Sequence, residues 1–170
     1  MDELWSKEQE DVVQRINSSR QHALKPREVT LDNGVPLVLC RPSPIEMHDL
    51  CVPCSVSIVT DKPITDVCSE LGRYMALTGW LPNRLFCFEP YLKDLGFVEL
   101  VNSTSFTTLK GLTAHGIVEA FHGKEPTLLV VVSKHMYAIV NGCVVDNWDS
   151  RTKRAKFIYI HKDELARVLA

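Results

Sequence analysis

The sequence predicts an α+β fold, because helix-like segments fill its first half and short strand-like segments follow one another in its second half. Residues 51–60 are apolar and helix-compatible, and the helical pattern that follows them stops before Gly79. Strand-like segments begin at about residue 127, and the last is predicted over 157–160. A chain of 170 residues, of which 45% are hydrophobic, is long enough to bury the core of one domain.

Residues 1–45 are predicted to form an N-terminal extension of a domain that spans residues 46–170. Residues 3–20 read as a polar helix with a narrow apolar face, which we expect to pack weakly on the domain or to need a partner. Residues 28–39 read as a hairpin. Pro36 cannot donate a backbone hydrogen bond, so it predicts that the second strand of this hairpin lies at a sheet edge.

Cys51 is predicted to stand at the start of the apolar helix. Pro53 fits only the first turn of a helix, which fixes the helix start close to Cys51. Asp61 and the residues after it end this helix, and Thr65 is expected to cap the next one. A thiol at a helix start lies at the positive end of the helix dipole, near unpaired backbone N–H groups, and both favour the thiolate. The N–H of Cys51 is also a candidate donor to an oxyanion.

A second set of polar residues lies in the segment from His135 to Trp148. Asn141 and Gly142 indicate a two-residue turn between short strands. Counting outward from that turn places His135 opposite Trp148 and puts Asp146 diagonally from His135 on the same sheet face. The sequence therefore predicts that a ring nitrogen of His135 bonds to Asp146 while Trp148 shields the pair from water.

These residues together predict a cysteine nucleophile with its base. An imidazole beside the thiol forms an ion pair with the thiolate, and a carboxylate fixes the tautomer of the imidazole. Cys51 is the candidate nucleophile, His135 the general base and then acid, and Asp146 the orienting group.

The same motifs resemble the papain-like cysteine proteases, and more narrowly small, mostly phage-encoded, papain-like proteins. The resemblance rests on Cys-Val-Pro-Cys-Ser from Cys51, on His-Met-Tyr-Ala from His135, and on Asp-Asn-Trp-Asp from Asp146, and it covers roughly residues 48–160. It implies a helical part that carries the Cys helix, packed on an antiparallel sheet that carries the His/Asp hairpin. It also implies that Trp148 is a shielding residue and that the source is a phage.

Two departures from the family pattern concern the oxyanion hole. Leu50 precedes the Cys where the related proteins often have a polar residue, and no Gln lies a few residues upstream. His48 and Asp49 are the alternative candidates for the supporting side chain.

The resemblance implies a cysteine hydrolase of the peptidase or isopeptidase type, which acts through a thioester on a protein or peptide. One alternative is a catalytically weak or inactive papain-like scaffold that binds and inhibits a host protein, and the missing Gln favours it. A further alternative is transglutaminase or deamidase chemistry, because it uses the same three side chains.

The six cysteines are expected to be reduced thiols, because the N-terminus lacks the pattern of a secretory signal. Cys68, Cys87 and Cys143 lie in apolar surroundings and are predicted to be small core residues. Cys54 lies about one helical turn after Cys51 and is a possible redox partner, since a disulfide between the two would switch the nucleophile off reversibly.

Two other interpretations of the Cys51-x-x-Cys54 spacing are not favoured. A thioredoxin-like pair follows an apolar strand, which His48-Asp49-Leu50 is not. A zinc site needs further ligands at suitable spacing, and the sequence has no second cysteine pair of this kind. We therefore predict no metal and no cofactor.

Composition narrows the class of partner. A formal net charge of −2 does not steer the whole chain toward nucleic acid or anionic membrane, and the apolar runs are too short to cross a bilayer. A cytoplasmic location is expected, which is the host cytoplasm if the chain is phage-encoded. A basic cluster after the hairpin reads as a solvated face or as a guide for an acidic substrate; it consists of Arg151, Lys153, Arg154 and Lys156.

Overall fold

The computed structural model describes residues 5–31, 34–40, 50–100 and 109–170. These residues contain six helices and seven strands, so the predicted α+β class is confirmed. In chain order the elements are α1 (Lys7–Asn17), β1 (Glu28–Thr30), β2 (Leu37–Leu39), α2 (Cys51–Thr60), α3 (Ile64–Thr78), α4 (Leu85–Asp94), β3 (Phe97–Glu99), α5 (Ala114–Ala120), β4 (Leu128–Val132), β5 (His135–Val140), β6 (Cys143–Asp146), β7 (Phe157–His161) and α6 (Lys162–Leu169).

The strands form one mixed sheet in the order β1-β2-β6-β5-β4-β7-β3. The prediction of an antiparallel sheet is wrong at one pair, because β2 runs parallel to β6, with Leu37 beside Val144. The prediction that Pro36 places β2 at an edge is also wrong, since β2 has a neighbour on each side. Pro36 lies just before the strand, where its missing N–H costs no ladder bond, and its carbonyl accepts from the N–H of Val144 at 2.9 Å. Strands β1 and β2 therefore tie the predicted extension into the main sheet.

Helix α2 is the central helix of the fold. Its residues from Cys51 to Ile58 are all buried, because the sheet covers one side of the helix and α3 the other. Two serine hydroxyls that would otherwise be unpaired donate to backbone carbonyls: Ser55 to Met136 at 3.0 Å and Ser57 to Lys62 at 2.6 Å. Asp61 ends the helix in a left-handed conformation with φ of 57°, as the sequence predicted.

Helix α1 packs on the sheet beside α2 and binds the tip of the β5–β6 hairpin. Its side chains Val12 and Ile16 are buried in the core on the α2 side. The Arg15 guanidinium donates to the Asn141 carbonyl, and the Asn141 amide donates back to the Arg15 carbonyl at 2.6 Å. Asn141 and Gly142 have φ of 50° and 72°, which is the two-residue hairpin turn that the sequence predicts.

The helices on the α2 side differ from the sequence prediction in two places. Thr65 is the second residue of α3 rather than its cap, and Pro63 occupies the cap position. Helix α4 was not predicted, and it contains Pro90 within its second turn. A partly buried network joins these helices, in which the Glu70 carboxylate accepts from Lys62 at 2.9 Å and from the Tyr91 hydroxyl at 2.5 Å.

The opposite face of the sheet is covered by α5 and by α6, which was also not predicted. Ile117 and Val168 contribute to the core on this side, together with alternate residues of β4, β5 and β7. All six residues of β5 are buried, as expected for a central strand covered on both faces. None of the helices in the described ranges is both long and apolar enough to span a membrane.

Candidate active site

Cys51 is the first residue of α2, the central helix. Leu50 occupies the cap position and offers no side-chain hydrogen bond, and the first turn contains no acidic residue. The positive end of the helix dipole at Cys51 is therefore not offset by a carboxylate in that turn. The side chain is buried, with 7% of the residue exposed, and the exposed part faces a cleft.

His135 and Asp146 form a buried pair on neighbouring strands. His135 begins β5, Asp146 ends β6, and His135 Nε2 lies 2.6 Å from Asp146 Oδ1. Their side chains are 0% and 1% exposed, so water does not compete for this bond. Because the carboxylate can only accept, Nε2 carries the hydrogen in the neutral ring, and Nδ1 is left as the basic nitrogen. The contact that was predicted from the hairpin turn is present.

Trp148 covers the histidine. Its ring stacks on that of His135 with 4.1 Å between ring centroids and 26° between the planes. About half of Trp148 remains exposed, so one face of the indole excludes water from the pair while the other faces solvent.

The environment of His135 favours its charged form. Burial acts against the charge, but the hydrogen bond with Asp146 and an interaction with the Cys51 thiol outweigh it and raise the pKa of His135. Within the described part of the chain, Nδ1 is buried without a partner at conventional hydrogen-bond distance. The interaction with Cys51 places the thiol within reach of the imidazole, and Nδ1 is the ring nitrogen that Asp146 leaves unoccupied.

Burial raises the pKa of Asp146, whereas the hydrogen bonds from His135 and from the Asn147 N–H, together with the nearby Ser150 hydroxyl, act to lower it. Both pKa values are raised, which favours the charge on His135 and disfavours the charge on Asp146. The carboxylate is nevertheless well supported, because Oδ1 accepts both from His135 at 2.6 Å and from the Asn147 N–H at 2.7 Å. Two such donors stabilise a carboxylate.

Ser150 is a buried residue that the sequence analysis did not single out. It is 0% exposed, and its hydroxyl lowers the pKa of Asp146. Neither the hydroxyl nor Asp146 Oδ2 has a partner at conventional distance among the described residues. The Ser150 hydroxyl therefore supports the carboxylate at longer range than a hydrogen bond.

Cys51, His135 and Trp148 all line one cleft of about 520 Å³. The size is within the range of sites that hold small molecules or peptide side chains. Three polar residues that the sequence analysis did not identify also line it: Asn83, Arg84 and Lys134. Lys134 was detectable as the neighbour of His135, whereas Asn83 and Arg84 carry no local signal, because the fold brings them to the cleft from the segment before α4.

Two further thiols are held in the protonated form. Burial raises the pKa of Cys54 and of Cys40 to about 12, so both stay protonated at neutral pH. Cys54 lies on α2 as predicted, one turn from Cys51, and is not joined to it by a disulfide in this structure. The prediction that Cys68 is a core residue is wrong, because it lies on the exposed side of α3.

The oxyanion candidates His48 and Asp49 lie outside the described residues. Among the described residues, the backbone N–H groups of the first turn of α2 remain the candidate donors, since the first N–H groups of a helix have no partner within it. Pro53, the third residue of the helix, has no N–H, so this turn offers the groups of Cys51 and Val52.

The contacts of His135 with Asp146 and Trp148 are seen in the structure of this chain. No family model, curated protein or solved structure matches the chain.

Proposed function

We propose that this protein is a papain-like cysteine hydrolase of the peptidase or isopeptidase type. The observation that carries the proposal is the buried bond of 2.6 Å between His135 and Asp146, in a ring that interacts with the Cys51 thiol at a helix start. Trp148 stacked on the histidine and the shared cleft support it. The arrangement of a Cys helix on a sheet that carries the His/Asp hairpin is what the papain-like resemblance implies.

The proposed reaction is acyl transfer to water. The Cys51 thiolate attacks the carbonyl carbon, and the negative oxygen that forms accepts from the N–H groups at the start of α2. The His135 imidazolium gives its proton to the leaving amine, and a thioester to Cys51 remains. Neutral His135 then takes a proton from water, which attacks the thioester; the acid is released, and the Cys51 thiolate and His135 imidazolium are restored. Asp146 holds the ring in one tautomer throughout.

The test is the rate at which iodoacetamide alkylates each cysteine from mildly acidic to mildly alkaline pH, read by mass spectrometry of peptides. Cys68 is the internal reference, because it is exposed on α3 whereas Cys51 is buried. We expect Cys51 to react faster than Cys68 at acidic pH in spite of its burial, and to lose this advantage in His135→Ala. A Cys51 that stays slower than Cys68 at every pH would remove the basis for the hydrolase.

The inhibitory scaffold is the second candidate, and exposed apolar residues near the cleft favour it. Leu81 lines the cleft, and beside it the Trp80 and Phe86 rings lie 5.3 Å apart while both remain largely exposed. An exposed apolar group of this kind is typical of a protein-binding surface. An inert Cys51 would favour the scaffold over the enzyme.

Two points rest on the motif resemblance alone and are part of the proposal. The first is a phage source, with action in the host cytoplasm. The second is the acyl donor: release of ammonia from glutamine peptides would indicate transglutaminase or deamidase chemistry at the same three residues.

A further inference from the structure

The cleft beside Cys51 has one apolar wall. Phe88 and Leu85 of α4, Met136 of β5 and Phe157 of β7 line it, together with Val52 from the first turn of α2. A volume of about 520 Å³ accommodates a large apolar side chain together with the backbone on either side of it. The wall therefore selects for an apolar residue close to the bond that Cys51 would attack.

The polar part of the same cleft is cationic. Arg84 and Lys134 are both exposed and both line the cleft, and no acidic side chain is among the described residues that do so. Neither cation forms an ion pair within the described ranges. The Lys110 ammonium does not line the cleft but lies 6.0 Å from the centre of the Phe157 ring, which does. This concentration of positive charge stands out in a chain whose formal net charge is −2.

The positions of the two lining cations are fixed by backbone structure. Lys134 lies in the two-residue turn between β4 and β5, with a left-handed φ of 58°, and directly precedes His135. Arg84 is the residue before α4, and its carbonyl accepts from the N–H groups of Cys87 and Phe88. Both charges therefore project from ordered ends of elements on the border of the apolar wall.

The basic cluster that the sequence suggested as a guide for acidic substrates is a different set. Arg151 pairs with Asp149 at 2.9 Å, and Arg154 donates to the Gly111 carbonyl at 2.9 Å. Both guanidinium groups are thus bonded to other groups of the protein, whereas Arg84 and Lys134 line the cleft.

We propose that the cleft binds a peptide segment in which a large apolar residue is flanked by acidic residues, with the apolar side chain on the wall and the carboxylates near Arg84 and Lys134. This inference rests on the proposed function, because it names the substrate class of the Cys51 site. A segment flanked by lysine would place like charges together in the cleft and is disfavoured.

The test measures binding separately from chemistry. Three fluorescein-labelled peptides, in which a phenylalanine is flanked on both sides by glutamate, glutamine or lysine, are titrated into the full chain carrying Cys51→Ala, and the Kd is read by fluorescence anisotropy. We expect the glutamate peptide to bind most tightly and the lysine peptide least. Each of Arg84→Gln and Lys134→Gln should weaken the glutamate peptide by about threefold, as for exposed ion pairs.

Lys153→Gln is the matched control, because it removes an exposed positive charge that does not line the cleft. It should leave all three Kd values unchanged, and salt at about 1 M should remove the preference for glutamate by screening. Equal binding of the three peptides, no binding of any, or an equal effect of Lys153→Gln would overturn the inference. An inert Cys51 thiol in the alkylation test would overturn the hydrolase and leave a charge preference in binding intact, so the two failures are distinguishable.

Discussion

Asp146→Asn is the sharpest perturbation of the candidate site. It keeps the size and shape of the side chain and leaves an oxygen that can accept from His135, but it removes the negative charge. Because the pair is 0% and 1% exposed, solvent does not screen the interaction that is lost. The environment that raises the pKa of His135 therefore loses its largest favourable contribution.

The expected size of the effect follows from the bond itself. A hydrogen bond to a charged group is worth about 1.5–3 kcal/mol and a neutral one about 0.5–1.5 kcal/mol, so exchange of the charged acceptor for a neutral one costs about 1–1.5 kcal/mol. Each 1.4 kcal/mol corresponds to about a tenfold change in an equilibrium, so the population of the thiolate–imidazolium pair falls by about 5- to 13-fold. The alkylation rate of Cys51 near neutral pH should fall by the same factor, because the thiolate is the species that reacts.

Asp149→Asn is the control for this measurement. Asp149 is the next acidic residue along the chain, it is half exposed, and its carboxylate pairs with Arg151 instead of His135. We expect an alkylation rate within about twofold of the unchanged protein, as for a surface charge away from the site. A thermal melt of each variant shows that the chain is folded. An Asp146→Asn protein that is folded and alkylates Cys51 at the original rate would refute the role assigned to this carboxylate.

Three further predictions concern stability and redox state. Gly142→Ala should lower the free energy of unfolding by about 1 kcal/mol, because the φ of Gly142 is +72°. Gly72→Ala should raise it by about 0.5 kcal/mol, because Gly72 lies in the middle of α3 with open space around it. Urea unfolding measures both, and equal effects of the two substitutions would contradict the explanation. Glu70→Gln should cost about 1 kcal/mol near neutral pH. Hydrogen bonds from Tyr91 and Lys62 hold the pKa of Glu70 below its usual value in the folded protein. This stability is therefore present above the unfolded-state pKa of about 4.5 and is lost as the pH falls through the folded-state pKa. Acid unfolding that is the same in Glu70→Gln and in the unchanged protein would argue against the network. Mild peroxide should block alkylation of Cys51 and Cys54 together, with recovery of both on adding a thiol reductant. Mass spectrometry should show a peptide linked through the two cysteines, which Cys54→Ala abolishes; a Cys51 that stays free after peroxide would exclude the disulfide.

The parts of the fold that the sequence predicted correctly are those that local chemistry determines. Asn141 and Gly142 fix a two-residue turn, and a fixed turn sets the register that brings His135 to Asp146 across only 11 positions. Pro53 likewise limits where α2 can begin.

The parts that the sequence did not predict depend on partners distant in the chain. The parallel neighbour of β2 is β6, more than 100 positions away, and no local pattern reports such a pairing. Pro90 argues against a helix on local grounds, yet burial of Phe88 and Tyr91 against the core stabilises α4 around it. Arg84 reaches the cleft for the same reason: its position is a product of packing and not of the residues beside it.

The bonds between Arg15 and Asn141 join residues 126 positions apart and have a consequence for biosynthesis. As the chain leaves the ribosome, Cys51 emerges early, whereas the hairpin with the imidazole and the carboxylate emerges late. Helix α1 has no hairpin tip to bind until then, and closing so long a loop is slow compared with forming the hairpin itself. The Cys51 thiol of the nascent chain therefore has no imidazole beside it, and it gains the His135 ring only when folding is complete.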